Sequence, residues 1–281
     1  MKKILAVSGG IDSVVMLHQM RSDPDVVVAH FDHGIRSNSA EDCAFVEGLA
    51  KQYKLPFYSE RAELGAECSE EHARAARYAF LRRLADELHG QIYTAHHRDD
   101  IVETMAINIL RSTGWRGIAP FWDGGIQHPL IELSKPDIYR YAAKYQLHFR
   151  QDQTNTEDDY LRNRVRNALS RQQRNDLYEI YQHQLPLRRE IEQILTQITK
   201  ANQYSKELVV ENGQEILRQI LRNHEIYLTR PQLNRALDAL KTYAPGKRFS
   251  LDKNHYLNIK RYYFQIETAT SVEIAWFHLL C

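Results

Sequence analysis

Ser8-Gly9-Gly10-Ile11-Asp12-Ser13 is the stretch that decides the fold of this chain. The apolar run Ile4-Leu5-Ala6-Val7 precedes it and Val14-Val15-Met16-Leu17 follows, so it reads as a strand, a tight turn and the start of a helix. Glycines admit backbone conformations closed to other residues and let a loop turn several N–H groups toward one anion. The helix that follows adds its positive N-terminal end. Ser8 and Ser13 offer hydroxyls to phosphate oxygens, and Asp12 offers a carboxylate to a magnesium ion. Lys2 and Lys3 stand before the strand and no lysine closes the loop, which separates it from the GxxxxGK[ST] loop of ordinary NTPases. The plain structural alternative is a glycine turn with Asp12 or Ser13 capping a helix.

Outward from the loop, Val26-Val27-Val28-Ala29 is a run of the kind buried in parallel sheets, and it leads into His30-Phe31-Asp32-His33-Gly34-Ile35-Arg36. Residues 40–53 and 70–88 carry helical spacing, with a short strand near Pro56-Phe57-Tyr58 between them. Ile92-Tyr93-Thr94-Ala95 is the next strand and runs into His96-His97-Arg98-Asp99-Asp100 and a helix ending at Leu110. Strands alternating with helices predict an α/β fold, a doubly wound parallel sheet. Ligands bind such sheets outside the carboxyl ends of the strands, where these polar sequences fall. Thr113–Gly117 reads as a glycine-punctuated loop, Ser134 as the cap of a helix to about Tyr145, and Asp152–Asn155 as a turn. From Gln184 a long amphipathic helix is expected. It is followed by helices near 216–221 and 233–240 and strands at 249–251, 256–259 and 263–266. The expected domains are therefore a catalytic domain over 1–183, a linker helix over 184–206 and a small α+β domain over 207–281.

A hydrophobic content of 43% and a charged content of 26% are those of a soluble globular protein, and no run approaches the roughly 20 apolar residues of a membrane span. Cys43, Cys68 and Cys281 are scattered and odd in number, which argues against a disulfide framework or a CxxC site and points to the cytoplasm. The formal charge is +1, but it is unevenly spread. Asp32–Glu103 holds 9 Lys/Arg against 14 Asp/Glu, Leu161–Arg189 holds 7 against 2, and Arg222–Phe264 holds 9 against 3. An acidic front and two basic rear blocks suit one small cationic substrate and one polyanionic one. The apolar tail Ile274–Leu280 is too short to span a membrane and suits packing or self-association, which leaves a homodimer open.

Asp99 and Asp100 stand four and three residues before Glu103, so a helix gathers the three carboxylates. They suit a metal, and acidic residues in a first turn also complement the helix dipole. Asp32 can anchor an ammonium or a metal, and Arg36 can meet a phosphate. Arg74 and Arg77 share one helix face, where Glu70 and Arg74 also suit a surface ion pair.

Taken in order, the chain carries Ser8-Gly-Gly-Ile-Asp-Ser13, Asp32-His-Gly-Ile-Arg36, and Glu70 with Ala73-Arg74-x-x-Arg77-Tyr78. It continues with Ala95-His-His-x-Asp-Asp-x-x-Glu-Thr104, Asp152-x-Thr-Asn155 and Arg162-Asn-Arg-Val-Arg166. This series, over about two thirds of the chain, resembles the tRNA(Ile)-lysidine synthases, members of the N-type ATP pyrophosphatases or PP-loop enzymes. Ala244-Pro245-Gly246-Lys247-Arg248-Phe249 and the strands beyond resemble that family's tRNA-binding module. The likeness is to the shorter form, without a further C-terminal domain, and one departure is His128 where the family usually has Arg.

The resemblance implies an adenine nucleotide alpha hydrolase-like fold and a ligase that uses ATP and Mg2+. It implies isoleucine tRNA with a CAU anticodon and free L-lysine as substrates, and no membrane. The wobble cytidine is activated at its C2 oxygen with release of pyrophosphate, and lysine then displaces AMP to give lysidine. Ser8, Gly9, Gly10, Ile11, Asp12 and Ser13, with Arg74 and Arg77, then belong to ATP, Asp12 also to the metal, and Asp100 and Glu103 to lysine. Asp32 and His33 join Asp12 as catalytic, either His33 or a carboxylate taking the amine proton, and Arg162, Arg164, Arg166, Lys247 and Arg248 face tRNA. Within the fold the rival is a tRNA thiolase, which commonly depends on a CxxC pair or a catalytic cysteine; an amidotransferase-type synthetase needs an ammonia source. An inactive nucleotide- or RNA-binding module is the rival from another class, and it has no need of the Asp12, Asp100 and Glu103 set.

Overall fold

The computed structural model describes residues 1–34, 39–62, 68–121, 125–150 and 157–268. Arg36, Asp152–Asn155, the tail over 274–280 and the side chain of Glu70 lie outside the described residues. Strand β1 (Lys2–Ala6) runs between two parallel neighbours, β2 (Val26–Asp32) on one side and β4 (Gly90–Tyr93) on the other. β3 (Phe57–Arg61) pairs outside β2 and β5 (Ile126–Gln127) outside β4, giving the all-parallel order β3-β2-β1-β4-β5.

Side chains alternate across this sheet and both faces are buried, which is why its strands read as unbroken apolar runs. Leu5, Val26 and Val28 pack with residues of α1 (Ile11–Met20), α2 (Ser39–Tyr53) and α6 (Lys135–Lys144). Ile4, Ala29 and Ile92 face the other way, against Tyr78, Leu81 and Leu84 of α3 (Glu70–Glu87). Helices on both faces of a parallel sheet make the doubly wound fold that the sequence predicts. A third cluster joins Ile101, Val102 and Met105 of α4 (Arg98–Leu110) to Ala119, just beyond α5 (Gly114–Ile118), and to Tyr178 and Tyr181. Those tyrosines belong to α8 (Arg171–Ile198), which follows α7 (Glu157–Ala168).

Two sequence readings change here. Thr113–Gly117 is not simply a loop, because Gly114–Ile118 closes one short helix. The long helix begins at Arg171 rather than near Gln184, with Pro186 inside it.

The chain divides into two units, Met1–Arg188 and Arg189–Cys281, and the division falls within α8. The second unit contains β6 (Tyr204–Ser205), α9 (Lys206–Asn212), α10 (Gln214–Asn223) and α11 (Arg230–Thr242). β7 (Arg248–Ser250), β8 (His255–Ile259) and β9 (Tyr263–Thr268) then complete an antiparallel sheet in the order β6-β9-β8-β7. Its buried residues keep helical spacing, with Ile216, Leu217, Ile220 and Leu221 on α10 and Leu233, Ala236, Leu237 and Leu240 on α11. Fully buried Leu257, Ile259 and Phe264 supply the sheet's share of that core.

Gly90 pairs with Lys2 where β4 meets β1, and a Cβ there would lie 2.9 Å from both the Lys2 carbonyl oxygen and Ile4 Cδ1. The oxygen belongs to the ladder and cannot step aside alone. Gly90→Ala is therefore expected to destabilise the first unit by about 1–3 kcal/mol. A lower denaturant midpoint at unchanged m-value is the expected result, and an unchanged midpoint would contradict the close approach.

Candidate functional site

In the order β3-β2-β1-β4-β5 the connections diverge between β1 and β4, so the crevice above that gap is bordered by the loops that follow the two strands. The loop after β1 is Val7–Gly10. Gly9 takes φ +91°, a region that favours glycine. The buried Ser13 hydroxyl holds the loop closed: it accepts from the N–H groups of Ser8 and Gly9, both at 3.2 Å, and donates to the Gly10 carbonyl at 2.8 Å. Ser8 is exposed, and its hydroxyl lies 3.3 Å from that of Ser13. Gly10 is the N-cap of α1 and supplies no side-chain acceptor, so the helix's first amides are left to a ligand or solvent. From outside the motif, Arg150 donates its backbone N–H to the Gly9 carbonyl at 2.9 Å, and its guanidinium binds Glu41 and Asp42 at 2.7 and 2.8 Å.

The loop after β4 delivers α4 with a reciprocal cap. The Asp99 N–H donates to His97 Nδ1 at 3.2 Å, and the His97 N–H donates to Asp100 Oδ2 at 2.9 Å. With Nδ1 accepting, the ring proton sits on Nε2, which lies 3.7 Å from Asp12 Oδ1 and 3.6 Å from Asp100 Oδ2. His97 thus stands between the carboxylates of the two motifs, and it is 5% exposed.

Basic side chains from three other helices meet these carboxylates. Lys135 Nζ lies 2.6 and 2.8 Å from the two Asp12 oxygens, and the Lys135 N–H donates to Asp99 Oδ2 at 2.7 Å. Arg174 comes within 3.6 Å of Asp99. Glu103 is fully buried and receives Arg166 in bidentate form, at 2.6 and 3.0 Å. That hydrogen bond raises the Arg166 pKa above its ordinary value. Losing one partner of a buried pair costs about 3–5 kcal/mol, and the half-exposed guanidinium puts this pair near the low end.

Directly after β4, Thr94 Oγ1 lies 2.8 Å from Nδ1 of both His96 and His128, and the two ring nitrogens are 3.4 Å apart. The hydroxyl donates to one ring and accepts from the other, so one Nδ1 carries hydrogen and the other does not. Burial first, then His128 and the charges of Arg74, Arg77 and Arg162, push the His96 pKa well below its ordinary value. The arginines of α3 and α7 therefore come near enough to bear on the end of β4. Arg74 and Arg77 also lie over the Tyr78 ring, at 5.0 and 5.5 Å. At the end of β2, Asp32 is buried and accepts the Gly34 N–H at 2.8 Å, with Arg61 at 3.8 Å, and His33 packs edge-on against Phe31. Arg164 lies on α7, and Lys247 and Arg248 belong to the second unit, where Glu267 holds Arg248 at 3.0 Å.

A family described as the PP-loop domain matches residues 1–173. The chain belongs to the PP-loop family. Among curated relatives, this PP-loop chain is 39% identical over 184 residues to a tRNA(Ile)-lysidine synthase of Geobacter sulfurreducens, covering 59% of this chain and 39% of the relative. It is 32% identical over 200 residues to a bifunctional TilS/HprT protein of Listeria monocytogenes, covering 65% and 31%. The chain thus spans well under half the length of these relatives. Among solved structures it resembles the U34-tRNA thiolase NcsA from Methanococcus maripaludis, at TM-score 0.55 and 15% identity over 66% of this chain and 72% of that one. That likeness concerns the fold alone. No helix among the described residues is long and apolar enough to cross a membrane.

Lys135, Arg150 and Arg174 of this PP-loop protein were not singled out by sequence reasoning, since each lies far in sequence from the group it meets. Ser134, read as a cap, was the nearest signal: its hydroxyl accepts the Asp137 N–H and fixes the turn that points Lys135 at Asp12.

The His96 shift has a definite consequence for stability. The unfolded imidazole takes a proton near pH 6.5, while the folded one takes it only at lower pH. Between those values the unfolded state binds more protons, and stability falls as pH falls, by at most about 1.4 kcal/mol per pH unit. His96→Gln is expected to reduce the loss of thermal stability between pH 7 and 5. His18 and His224, also shifted down by burial, keep the remainder pH-dependent. An unchanged slope would contradict a neutral His96.

Proposed function

We propose that this chain ligates free lysine to C2 of the wobble cytidine of an isoleucine tRNA with a CAU anticodon, using ATP. The observation that carries the reading is the chemistry of the crevice floor. Its carboxylates already hold an alkylammonium, Lys135 Nζ at 2.6 and 2.8 Å from Asp12, beside the PP-loop and the first turn of α4. A free lysine brings two more groups of the same kind.

The cytidine C2 oxygen attacks the α-phosphorus of ATP and pyrophosphate leaves, which turns an unreactive C2 into an electrophile with AMP as leaving group. The lysine ε-amine then forms the bond to C2, AMP departs with the former carbonyl oxygen, and the amine gives up a proton. That ammonium has an ordinary pKa of about 10.4, so a nearby base must take the proton, either a carboxylate of the crevice or His33. The PP-loop amides and the N-terminus of α1 receive the departing phosphates, with Arg74 and Arg77 beside them. Lys135 is the chain's own cation at this loop, where ordinary NTPases place a lysine inside the motif.

Magnesium would be carried on the ATP phosphates with Asp12 as protein ligand. The residues fit that mode: among the described residues no three His, Cys, Asp or Glu side chains form a metal cage of their own, and magnesium usually combines one or two carboxylates with phosphates. When bound, the ion draws charge from the leaving phosphates.

Arg166 stands on Glu103, which the same reading assigns to lysine, so the guanidinium must turn away before lysine enters. The tRNA phosphates are the acceptors to which it turns. Lysine is therefore expected to bind at least several-fold more tightly with tRNA present, as measured by equilibrium dialysis, and equal affinity in the two cases would oppose this exchange.

The deciding assay combines the protein, CAU-anticodon isoleucine tRNA, magnesium-ATP and radiolabelled lysine. ATP-dependent label in the tRNA is the expected result, and no label, with a sulfur donor used instead, would sink the reading in favour of the thiolase. Asp100→Asn keeps an acceptor for the His97 N–H and removes the charge. It is expected to raise the KM for lysine about tenfold or more while ATP-dependent activation of the tRNA persists. Loss of both steps in equal measure would overturn Asp100 as a lysine ligand.

A further inference from the structure

Two amides of the PP-loop are used inside it, since the Ser8 and Gly9 N–H groups both turn to the Ser13 hydroxyl. The next one is left facing outward. The Gly10 N–H meets the exposed Ser8 hydroxyl at 3.4 Å, a long contact that an incoming anion can replace. Its direction is set at the other end of the same peptide group. The carbonyl and N–H of a planar trans peptide point opposite ways, and the Gly9 carbonyl is held by the Arg150 N–H at 2.9 Å. Without that hold the peptide between two glycines has little to stop it from rotating.

Arg150 is well placed to act as that hold. It follows Leu147 and Phe149, which pack against the core cluster containing Val7, Ile11 and Val46. A Cβ built on the buried Gly9 would stand 3.4 Å from Phe45 Cδ1, 3.5 Å from Val46 Cγ2 and 3.7 Å from Arg150 Cγ, so α2 and the arginine stem floor the loop. The guanidinium is turned to the first turn of α2, with Nε on Asp42 and Nη2 on Glu41. One guanidinium against two carboxylates leaves the group net negative, which suits it poorly as a phosphate ligand. What the ion pairs supply is a fixed place for the Arg150 backbone. We propose that Arg150 is a positioning residue of the PP-loop: tied to Glu41 and Asp42, it holds the Gly9 carbonyl and so aims the Gly10 N–H at the pyrophosphate part of ATP. The proposal rests on the reading above only in taking ATP phosphates as the loop's ligand.

The test is isothermal titration calorimetry of the full chain with magnesium pyrophosphate and, separately, with AMP. Neither tRNA nor lysine is present, so the result is independent of the lysine-incorporation assay: lysidine formation alongside unchanged pyrophosphate binding by the variants would overturn this proposal alone. Arg150→Ala should weaken pyrophosphate binding about fivefold or more, the loss of one well-aimed hydrogen bond to a charged group, and leave AMP binding as in the parent. Arg150→Lys keeps a charge that can reach one carboxylate and should lose less than Arg150→Ala does. The double variant Glu41→Ala, Asp42→Ala separates positioning from charge. It removes two negative charges near the loop and frees the guanidinium, so a phosphate-binding Arg150 would make pyrophosphate bind more tightly. Positioning predicts the opposite, a weakening of about threefold or more, because the tether is lost. Tighter binding by the double variant, unchanged pyrophosphate affinity in Arg150→Ala, or equal loss for pyrophosphate and AMP, as general damage to the fold would give, would each overturn the proposal.

Discussion

The pairing of β1 with two parallel partners is the constraint on which the rest of the first unit depends. Because β2 and β4 flank it, the connections leaving β1 and β4 diverge, and the gap between their carboxyl ends cannot be filled by a crossover helix. The PP-loop amides and the α4 carboxylates sit on those two connections. One ends in amides left free at a helix N-terminus, the other in carboxylates gathered by a helix turn. His97 joins them, its backbone N–H capped by Asp100 and its Nε2 facing Asp12, so the amide-bearing loop and the carboxylate-bearing turn are held in one register.

Such a crevice concentrates negative charge, and a buried carboxylate without a partner is costly. The protein resolves this with its own cations. Lys135 answers Asp12, Arg174 answers Asp99 and Arg166 answers Glu103, from three separate helices. The pairs differ in permanence. Lys135 and Asp12 are each about one-third exposed, so their attraction is weakened by solvent and readily exchanged. Glu103 is fully buried and gripped at two points, so replacing Arg166 demands a cation that offers comparable hydrogen bonds. On the proposed reading a substrate ammonium takes the place of Arg166 on Glu103, and magnesium that of Lys135 on Asp12, so each carboxylate keeps a cation.

The layout of the fold was legible in the sequence, since buried parallel strands leave unbroken apolar runs and the polar residues after them mark the ends where ligands gather. Val26–Ala29 and Ile92 were readable for that reason, and so was the placing of Asp12, Asp100 and Glu103 on the helices that follow β1 and β4. The cations opposite were not. Lys135 lies 123 residues from Asp12 and Arg166 lies 63 from Glu103, and no periodic pattern links positions on different helices. Arg166 was read as a contact for nucleic acid, and nothing in a basic run shows that one of its members also reaches a buried carboxylate. The start of α8 was hidden by Pro186, which interrupts the helical ladder yet is carried within the helix.

His128 and His96 show how two imidazoles at a strand end are accommodated by one hydroxyl. An arginine at position 128 would bring a permanent charge beside His96, where Arg74, Arg77 and Arg162 already press on the ring. An imidazole can instead share the Thr94 hydroxyl with His96, one ring donating and the other accepting. Of the two rings, His96 holds its pKa well below the ordinary value, burial first and the neighbouring charges second. An anion that settled at the end of β4 would meet the charges of Arg74 and Arg77 on α3 and of Arg162 on α7, which already bear on the His96 ring.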